Sequence, residues 1–345
     1  MHYFKIIFLL LLFVSCKKKK VSENDVNTNV LSNGMMVLCQ GLFQQNNSTI
    51  SWVDLATGSS DDLFFTSRTG RLLGDTGNDL QRYGNKLYVL VNVSSTLEVL
   101  DANTGNPIKQ ISMQFNGKAK QPRNIVFQEG KAYISCFDGY VDVLDTSTLQ
   151  IQKRIKVGDN PEHMLVLKDR LYVSNSGGLN ASLDSTLSVI DCNSNLEISK
   201  IVVGKNPGKI VAQNDSILYV HVRGNYSSIP SELKKLNIGV SNTQETIPIK
   251  ILGMEKMENQ LLIYTSETVL LYDMQKNVIT NVSFISLKDI MTLYRIQYVE
   301  AIKQLFVFDA NAYTNSGYIH RFSNSGTFLQ KIHVGLNPNS LIYYE

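Results

Sequence analysis

The feature that most constrains this chain is a short apolar segment that recurs along it about every 40 to 50 residues. Each copy carries Tyr or another large apolar residue near its centre and alternates in the manner of a half-buried strand. A period of this length is typical of propeller blades, each built from four antiparallel strands. The copies are KLYVL (86–90), KAYIS (131–135), RLYVS (170–174), ILYVH (217–221), LLIYT (261–265) and QLFVF (304–308).

Two further motifs recur along the chain together with this segment. One is an apolar strand that ends in Asp before a polar cluster, as in LEVLDANTG (97–105) and LSVIDCNSN (187–195), which indicates a strand entering a hairpin turn. The other places Pro at the start of a strand, as in DNPEH (159–163) and KNPGK (205–209), where the missing N–H does least harm. Together the motifs order the strands of each blade as A, B, C and D.

The aligned motifs predict seven blades. Six complete sets fit residues 79–113, 122–158, 161–204, 207–249, 251–287 and 292–335. The seventh combines a strand at 35–39 with a C-terminal strand at 339–345, so that the tail closes the ring and removes exposed strand edges. The predicted fold is therefore an all-β, seven-bladed propeller over residues 35–345. A two-domain alternative would need a linker near the middle, and the sequence has none.

The N-terminal residues predict export. Residues 1–15 combine a basic start with nine apolar residues and a small residue before Cys16, which is the layout of a signal peptide and too short to span a bilayer. The tetrad Phe13-Val14-Ser15-Cys16 resembles a bacterial lipobox, which implies lipidation of Cys16. Residues 16–34 are polar and are predicted to form a flexible tether. The alternative is an ordinary signal peptide with an incidental Cys.

The YVSN, VID and VGxNP repeats resemble the YVTN family of seven-bladed propellers, over about residues 35–345. The SCKKKK junction is similar to that of many Bacteroidota lipoproteins, and a lipoprotein propeller with long loops is similar to the surface propellers that capture cobalamin for an outer-membrane transporter. The resemblance implies lipid anchoring at the outer membrane, and we favour the cell surface over the periplasmic face.

The charge balance and the motifs of the sequence argue against several classes of function. Beyond the run Lys17–Lys20 the chain has 28 basic and 30 acidic side chains, so nucleic acid is not expected as a partner. The sequence lacks a Walker loop, a G-x-S-x-G elbow and metal-ligand spacing of its His residues, so we expect no enzyme activity, no cofactor and no metal. We expect Cys39, Cys136 and Cys192 to be buried thiols without disulfides, and His221, His320 and His333 to be structural.

The candidate ligand site lies on the face that carries the B–C loops. These loops are long in blades 1, 4, 5 and 7, which predicts two walls facing each other across the central mouth. The loops supply Phe43, Asn175, Leu179, Arg223, Asn225, Tyr226, Tyr313 and Asn315. The upper ends of the inner strands are expected to supply Arg82, Arg123, Asn124, His163, Lys209 and Arg295.

Aromatic and amide groups together suit a rigid ligand with many hydrogen-bonding groups. The first hypothesis is a lipid-anchored binding protein that captures a small ligand such as a corrinoid and passes it to a transporter. The alternative is an envelope scaffold that binds a protein or a glycan. A lactonase-like or quinone-dependent enzyme is the third hypothesis.

Overall fold

The computed structural model of the chain describes residues 29–178, 180–239 and 243–345. Within them, seven four-stranded antiparallel sheets form the blades. The predicted signal peptide, Cys16 and Leu179 lie outside the described residues. No helix in the described part of the chain has the length and apolar character needed to cross a membrane.

The strands of the first four blades follow one another along the chain. Blade 1 contains β1 (Gly34–Cys39), β2 (Thr49–Asp54) and β3 (Ser60–Asp61), after which comes helix α1 (Phe64–Thr69). Blade 2 contains β4 (Gly77–Tyr83), β5 (Lys86–Val91), β6 (Thr96–Asp101) and β7 (Pro107–Ser112). A small hairpin follows, with β8 (Gln114–Phe115) and β9 (Lys118–Ala119). Blade 3 contains β10 (Pro122–Gln128), β11 (Lys131–Cys136), β12 (Tyr140–Asp145) and β13 (Gln150–Lys156). Blade 4 contains β14 (Pro161–Leu167), β15 (Arg170–Asn175), β16 (Thr186–Asp191) and β17 (Leu196–Val202).

The remaining blades repeat this order. Blade 5 contains β18 (Pro207–Asn214), β19 (Ile217–Val222), β20 (Glu232–Asn237) and β21 (Gln244–Ile247). Blade 6 contains β22 (Gly253–Met257), β23 (Gln260–Tyr264), β24 (Val269–Asp273) and β25 (Val278–Ile285). Blade 7 contains β26 (Leu293–Val299), the 3₁₀ turn Glu300–Ile302, β27 (Gln304–Asp309), β28 (Ser316–Ser323) and β29 (Phe328–Leu336). The last strand, β30 (Pro338–Tyr344), returns to blade 1.

The C-terminal strand closes the ring, as predicted. β30 pairs antiparallel with β1, from Gly34 opposite Tyr344 to Cys39 opposite Pro338, and serves as the innermost strand of blade 1. The innermost strands then contact one another in cyclic order from β30 through β4, β10, β14, β18, β22 and β26 back to β30. Both ends of the described chain are thereby fastened into one sheet.

The core is divided among the blade interfaces. Among the described residues there are seven clusters of buried apolar side chains, one for each pair of adjacent blades. Tyr88, Tyr133 and Tyr219, from the repeating segment, are fully buried in three of these clusters. Each ring fills the space against the next blade, which explains why the same residue type recurs at the same strand position.

The alignment was wrong by one residue in blade 6. Ile263 was matched to the Tyr position, yet the third residue of β23, which faces blade 7, is Leu262. Ile263 packs on the opposite side of the sheet, against blade 5. Successive side chains of a strand point to opposite faces, so a slip of one residue reverses the side on which a residue is buried.

Candidate ligand-binding site

The connections between strands B and C define one face of the ring, here called the upper face. They are long in blades 1, 4, 5 and 7, at residues 40–48, 176–185, 223–231 and 310–315. Those of blades 2, 3 and 6 span only 92–95, 137–139 and 265–268. The predicted distribution of loop lengths is therefore present, and the short loop of blade 6 leaves a gap between the long loops of blades 5 and 7.

A β-bulge at the upper end of six inner strands shapes the mouth. The first residue of each inner strand pairs with the last residue of strand B, and the register then shifts. A bulge leaves extra residues unpaired and re-aims their side chains. The residue pairs at these bulges are Asn78–Asp79, Arg123–Asn124, Glu162–His163, Gly208–Lys209, Tyr294–Arg295 and Asn339–Ser340. The inner strand of blade 6 has no register shift.

Eight of these bulge residues and Arg223 line a small polar cavity of about 180 Å³ at the centre of the ring, here called the channel cavity. The eight bulge residues of this cavity are Asn78, Asp79, Arg123, Asn124, Glu162, His163, Lys209 and Arg295. Glu162 joins two of its cations, because its carboxylate lies 3.3 Å from Arg123 and 2.7 Å from Arg223. Burial acts to raise the pKa of Glu162, but Arg123 and Arg223 outweigh it and the net shift is downward. Glu162 is therefore ionised at neutral pH and links three blades.

Blades 2 to 4 are linked by a second set of contacts. The Asn124 amide nitrogen donates to Asp79 Oδ2 at 2.6 Å, and its oxygen accepts from the backbone N–H of Met164 at 2.9 Å. The guanidinium of Arg123 donates to Asn78 Oδ1 at 2.6 Å and lies over the Phe137 ring. These polar groups hold the mouth in one arrangement, because each bond joins neighbouring blades.

His163 and Lys209 complete the channel wall. His163 Nδ1 accepts a hydrogen bond from the backbone N–H of Ile210 at 3.2 Å. Burial, followed by the charges of Lys209, Arg295 and Arg223, lowers the pKa of His163 well below its usual range. Lys209 forms an ion pair with Glu255, and burial lowers the pKa of Lys209. His163 is therefore neutral at pH 7, and its hydrogen is on Nε2.

A larger cavity of about 560 Å³ adjoins the channel and shares Arg223 with it. We call it the tyrosine cavity because Tyr226, Tyr264, Tyr294 and Tyr313 line it. Its other lining residues are His221, Arg223, Ser227, Ile229, Pro230, Ser231, Ile251, Leu252 and Leu293. It lies over the upper end of blade 6, where Tyr264 ends β23, between the long loops of blades 5 and 7. This volume falls within the ~300–1,000 Å³ range of small-molecule sites.

Local hydrogen bonds shape the two loops that bear the exposed tyrosines. Asn225 Oδ1 accepts from the backbone N–H groups of Ser227 and Ile229 and so closes the blade 5 loop. In blade 7, Ala312 and Tyr313 adopt φ values of 66° and 65°, a left-handed conformation that non-glycine residues adopt at a cost in free energy. Such strain often accompanies functional loops, and here it positions the Tyr313 ring edge-on against Tyr294.

His221 contributes a buried polar atom to the tyrosine cavity. It is 5 % exposed, and its Nε2 has no hydrogen-bond partner among the described residues. Burial, with a smaller contribution from Arg223, lowers the pKa of His221 to about 3, so the ring is neutral at pH 7. An unpartnered buried nitrogen is costly, and a ligand that hydrogen-bonds to Nε2 would remove that cost.

The predicted site residues fall into two groups. The channel cavity brings together Arg123, Asn124, His163, Lys209, Arg223 and Arg295, while Tyr226 and Tyr313 line the tyrosine cavity. Asn225 and Asn315 bond within their own loops. Sequence comparison of the blades did not identify Asp79, Glu162, His221 or Tyr294. Glu162 and His221 lie inside two of the recognised motifs, DNPEH (159–163) and ILYVH (217–221), while Asp79 and Tyr294 lie at bulges that residue types alone do not mark.

Two placements expected from the sequence are wrong, and a third residue lies on its predicted loop but apart from both cavities. Arg82 lies near the other end of its strand, opposite Leu87, and donates to the carbonyl of Gly84 at the lower turn. Asn175 is fully buried, and its amide bonds to Gly158, Thr186 and Ser188 rather than facing the mouth. Phe43 is exposed and lines neither cavity. The cavity that Tyr226 and Tyr313 line lies to one side of the ring, over blade 6.

Hydrogen bonds in the turns after strand C support a structural role for the repeated Asp that ends this strand. The Asp101 carboxylate accepts from the N–H groups of Asn103 and Thr104, and Asp145 accepts from those of Ser147 and Thr148. The described residues contain no cluster of His, Cys, Asp or Glu suited to a metal ion. Cys39, Cys136 and Cys192 are free and buried, as expected.

Solved structures with the same architecture include an enzyme and other proteins. A quinoprotein alcohol dehydrogenase-like protein of Bacteroides thetaiotaomicron VPI-5482 matches with a TM-score of 0.65 and 14% identity, over 91% of this chain and 79% of that chain. Hydrazine synthase of Kuenenia stuttgartiensis matches with a TM-score of 0.62 and 15% identity, over 88% and 99%. Apo AztD of Citrobacter koseri matches with a TM-score of 0.54 and 11% identity, over 89% and 97%. At these identities the similarity shows the propeller fold alone.

A search of the curated proteins gives no match. One family model matches residues 33–334, which is most of the propeller. The chain therefore belongs to the DUF5074 family, whose description is a domain of unknown function.

Proposed function

We propose that this protein is a non-catalytic binding protein that captures a small, partly flat ligand in the tyrosine cavity. One observation carries the proposal: Tyr226 and Tyr313, on the long loops of blades 5 and 7, line the same cavity over the upper end of blade 6. The surrounding hydrogen bonds hold both loops in place, so little ordering entropy opposes binding.

The lining of the cavity suggests the ligand chemistry. Tyrosine rings favour contact with a flat or apolar body, while His221 Nε2, Arg223 and the serine hydroxyls offer hydrogen bonds at the edge of the cavity. A corrinoid combines a rigid macrocycle with peripheral amides, and it is the ligand class suggested by the resemblance to cobalamin-capturing propellers. The cavity would hold one part of a molecule of that size.

Calorimetric titration of residues 21–345 with cobalamin, cobinamide and a panel of glycans tests this function. We expect heat with a corrinoid, and Tyr226→Ala and Tyr313→Ala should each weaken binding by about 1 kcal/mol or more, roughly fivefold. Phe43→Ala is the matched control, because Phe43 is an exposed aromatic residue of an upper loop that lines neither cavity. A folded protein that gives no heat with any corrinoid would exclude the vitamin, and binding to a glycan alone would favour the scaffold function.

We further propose that Cys16 is lipidated and anchors the propeller at the outer membrane, where it delivers its ligand to a transporter. The order of signal peptide, Cys16 and polar tether supports this location. Metabolic labelling with a radioactive fatty acid should mark the wild-type protein and the Cys192→Ala control but not Cys16→Ala. Protease treatment of intact cells should then degrade a surface-exposed propeller; protection until the outer membrane is broken would place it on the periplasmic face.

A further inference from the structure

The charges around the channel cavity do not cancel. Four cationic side chains line it: Arg123, Lys209, Arg223 and Arg295. The carboxylates at hand are Asp79 and Glu162, which also line it, and Glu255, which pairs with Lys209. Since His163 is neutral at pH 7, the set carries one excess positive charge.

These carboxylates are already engaged. Glu162 is shared by Arg123 and Arg223, and Glu255 is paired with Lys209. Asp79 Oδ2 accepts from the Asn124 amide and from the backbone N–H of Ile125. Neutral donors thus occupy the Asp79 oxygen, and no carboxylate among the described residues forms a salt bridge with Arg295.

Arg295 is the one cation of this set without a salt bridge among the described residues. Its guanidinium donates to one partner among the described residues, the carbonyl of Asn339 at 3.1 Å, although a guanidinium has five N–H donors. Arg123 Nε is also buried, and no described residue forms a hydrogen bond with it. An arginine that lines a cavity with free donors matches the fork geometry of phosphate and carboxylate groups.

The size of the channel cavity limits what it can hold. Its volume of about 180 Å³ is below that of a typical ligand pocket, so it suits a compact polar group rather than a ring system. Arg223 lines both this cavity and the tyrosine cavity, so the two adjoin. A single molecule with a flat body and an anionic substituent would fill both.

We propose that the channel cavity is an anion subsite, in which Arg295, supported by Lys209, Arg223 and Arg123, binds a phosphate or carboxylate group of the captured ligand. The inference rests on the proposed function and deepens it, because it assigns a charge to that ligand. The hydrogen on His163 Nε2 agrees with a site that favours anions. So do the charges of Lys209, Arg295 and Arg223, which add to burial in lowering the pKa of His163.

Titration of the full-length chain in mild detergent with inorganic phosphate and with acetate tests the subsite. We expect a saturable signal with at least one anion, weaker at high salt because the attraction is electrostatic. Arg295→Gln should weaken it at least tenfold, while Arg295→Lys, which keeps the charge, should stay within about fivefold of wild type. Arg82→Gln is the matched control, since Arg82 lies on an inner strand near the opposite face and should leave binding unchanged.

A gain of affinity separates the subsite from a purely structural role of these charges. Glu255→Gln removes the partner of Lys209 and should tighten anion binding at least threefold, a change that misfolding would not produce. Absence of binding by the wild type, equal effects of Arg295→Gln and Arg82→Gln, or weaker binding by Glu255→Gln would each overturn the inference. If a corrinoid binds in a Tyr226-dependent manner but neither anion binds, the subsite fails and the tyrosine cavity stands.

Discussion

Single side chains set the shape of the upper face, and Asp309 is the clearest case. Its carboxylate accepts hydrogen bonds from the backbone N–H groups of Met291, Thr292 and Asn311 and lies 3.6 Å from His320. It thereby fixes the start of the loop that carries Tyr313. Burial acts to raise the pKa of Asp309, but the His320 contact and the backbone donors outweigh it and lower the pKa to about 2.

This lowered pKa predicts a pH-dependent stability. The contribution of Asp309 is present above the unfolded-state pKa of about 4 and is lost as the pH falls towards 2. Asp309→Asn should reduce the free energy of unfolding by about 1–3 kcal/mol at pH 7, because one amide oxygen cannot replace a carboxylate with three backbone donors. Denaturant titrations at pH 7, 4 and 2.5 measure the difference, which should shrink at the lowest pH.

Asp289→Asn is the control for that experiment, because Asp289 is exposed and lies between β25 and β26, close in sequence to Met291 and Thr292, which donate to Asp309. It should change stability little at any pH. A difference between wild type and Asp309→Asn that stays constant from pH 7 to 2.5 would contradict the role given to the Asp309 carboxylate.

At the scale of elements, the β-bulges at the upper ends of the inner strands place the polar side chains that line the channel cavity. The Pro-containing motifs mark the start of inner strands in the sequence, and for this reason Arg123, Asn124, His163 and Lys209 could be placed at the mouth beforehand. The bulge itself depends on backbone register against strand B, which residue types do not encode directly. Arg82 was misplaced because blade 2 starts with Gly77 rather than Pro, so the start of its inner strand was assigned too late.

The hairpin of β8 and β9 is tied to blade 3 by a buried charge network. Lys120, directly after β9, forms a buried ion pair with Asp142, whose other oxygen accepts from Arg154 Nε at 3.0 Å. Lys120→Met should destabilise the protein by about 3 kcal/mol, because Asp142 then remains buried with half of its partners. Denaturant unfolding measures this loss.

Lys118→Met provides the matched comparison for Lys120→Met. Lys118 lies on the exposed β9, two residues away, and the same substitution there should change the free energy of unfolding by less than about 0.5 kcal/mol. Similar losses in the two variants would show that the buried pair does not fasten the hairpin.

For the whole molecule, the seven-bladed ring and its closure could be predicted from the sequence, because the strand motifs repeat and the two ends carry complementary parts of one blade. The cleft could be predicted only in part. Loop lengths predicted that the loops of Tyr226 and Tyr313 line a ligand site. That these two loops line the same cavity depends on blade 6, whose short B–C loop leaves a gap between them. The sequence predicts a structural role for His221, because a strand pattern does not reveal that this residue lines a cavity.

Because β30 closes the ring, its deletion should strongly destabilise the protein. Deleting residues 338–345 removes β30, exposes β1 and β4, and should lower the melting temperature by at least about 10 °C, because about 5 kcal/mol or more of stability is lost. Trp52, the one Trp of the sequence, packs edge-on against Tyr344 at 5.3 Å, so its fluorescence should shift to longer wavelength. Deletion of Glu345 alone is the control and should leave both readouts unchanged; an unaltered melting temperature in the longer deletion would contradict closure by β30.

Hydrogen–deuterium exchange of the full-length chain, with and without saturating cobalamin, tests the central claim most directly, because it locates the ligand on the ring. We expect slower exchange in residues 223–231 and 310–315 and no change in the lower turns at 84–85, 129–130 and 168–169. Protection confined to those lower turns, or no protection in the two upper loops, would contradict a binding site over blade 6.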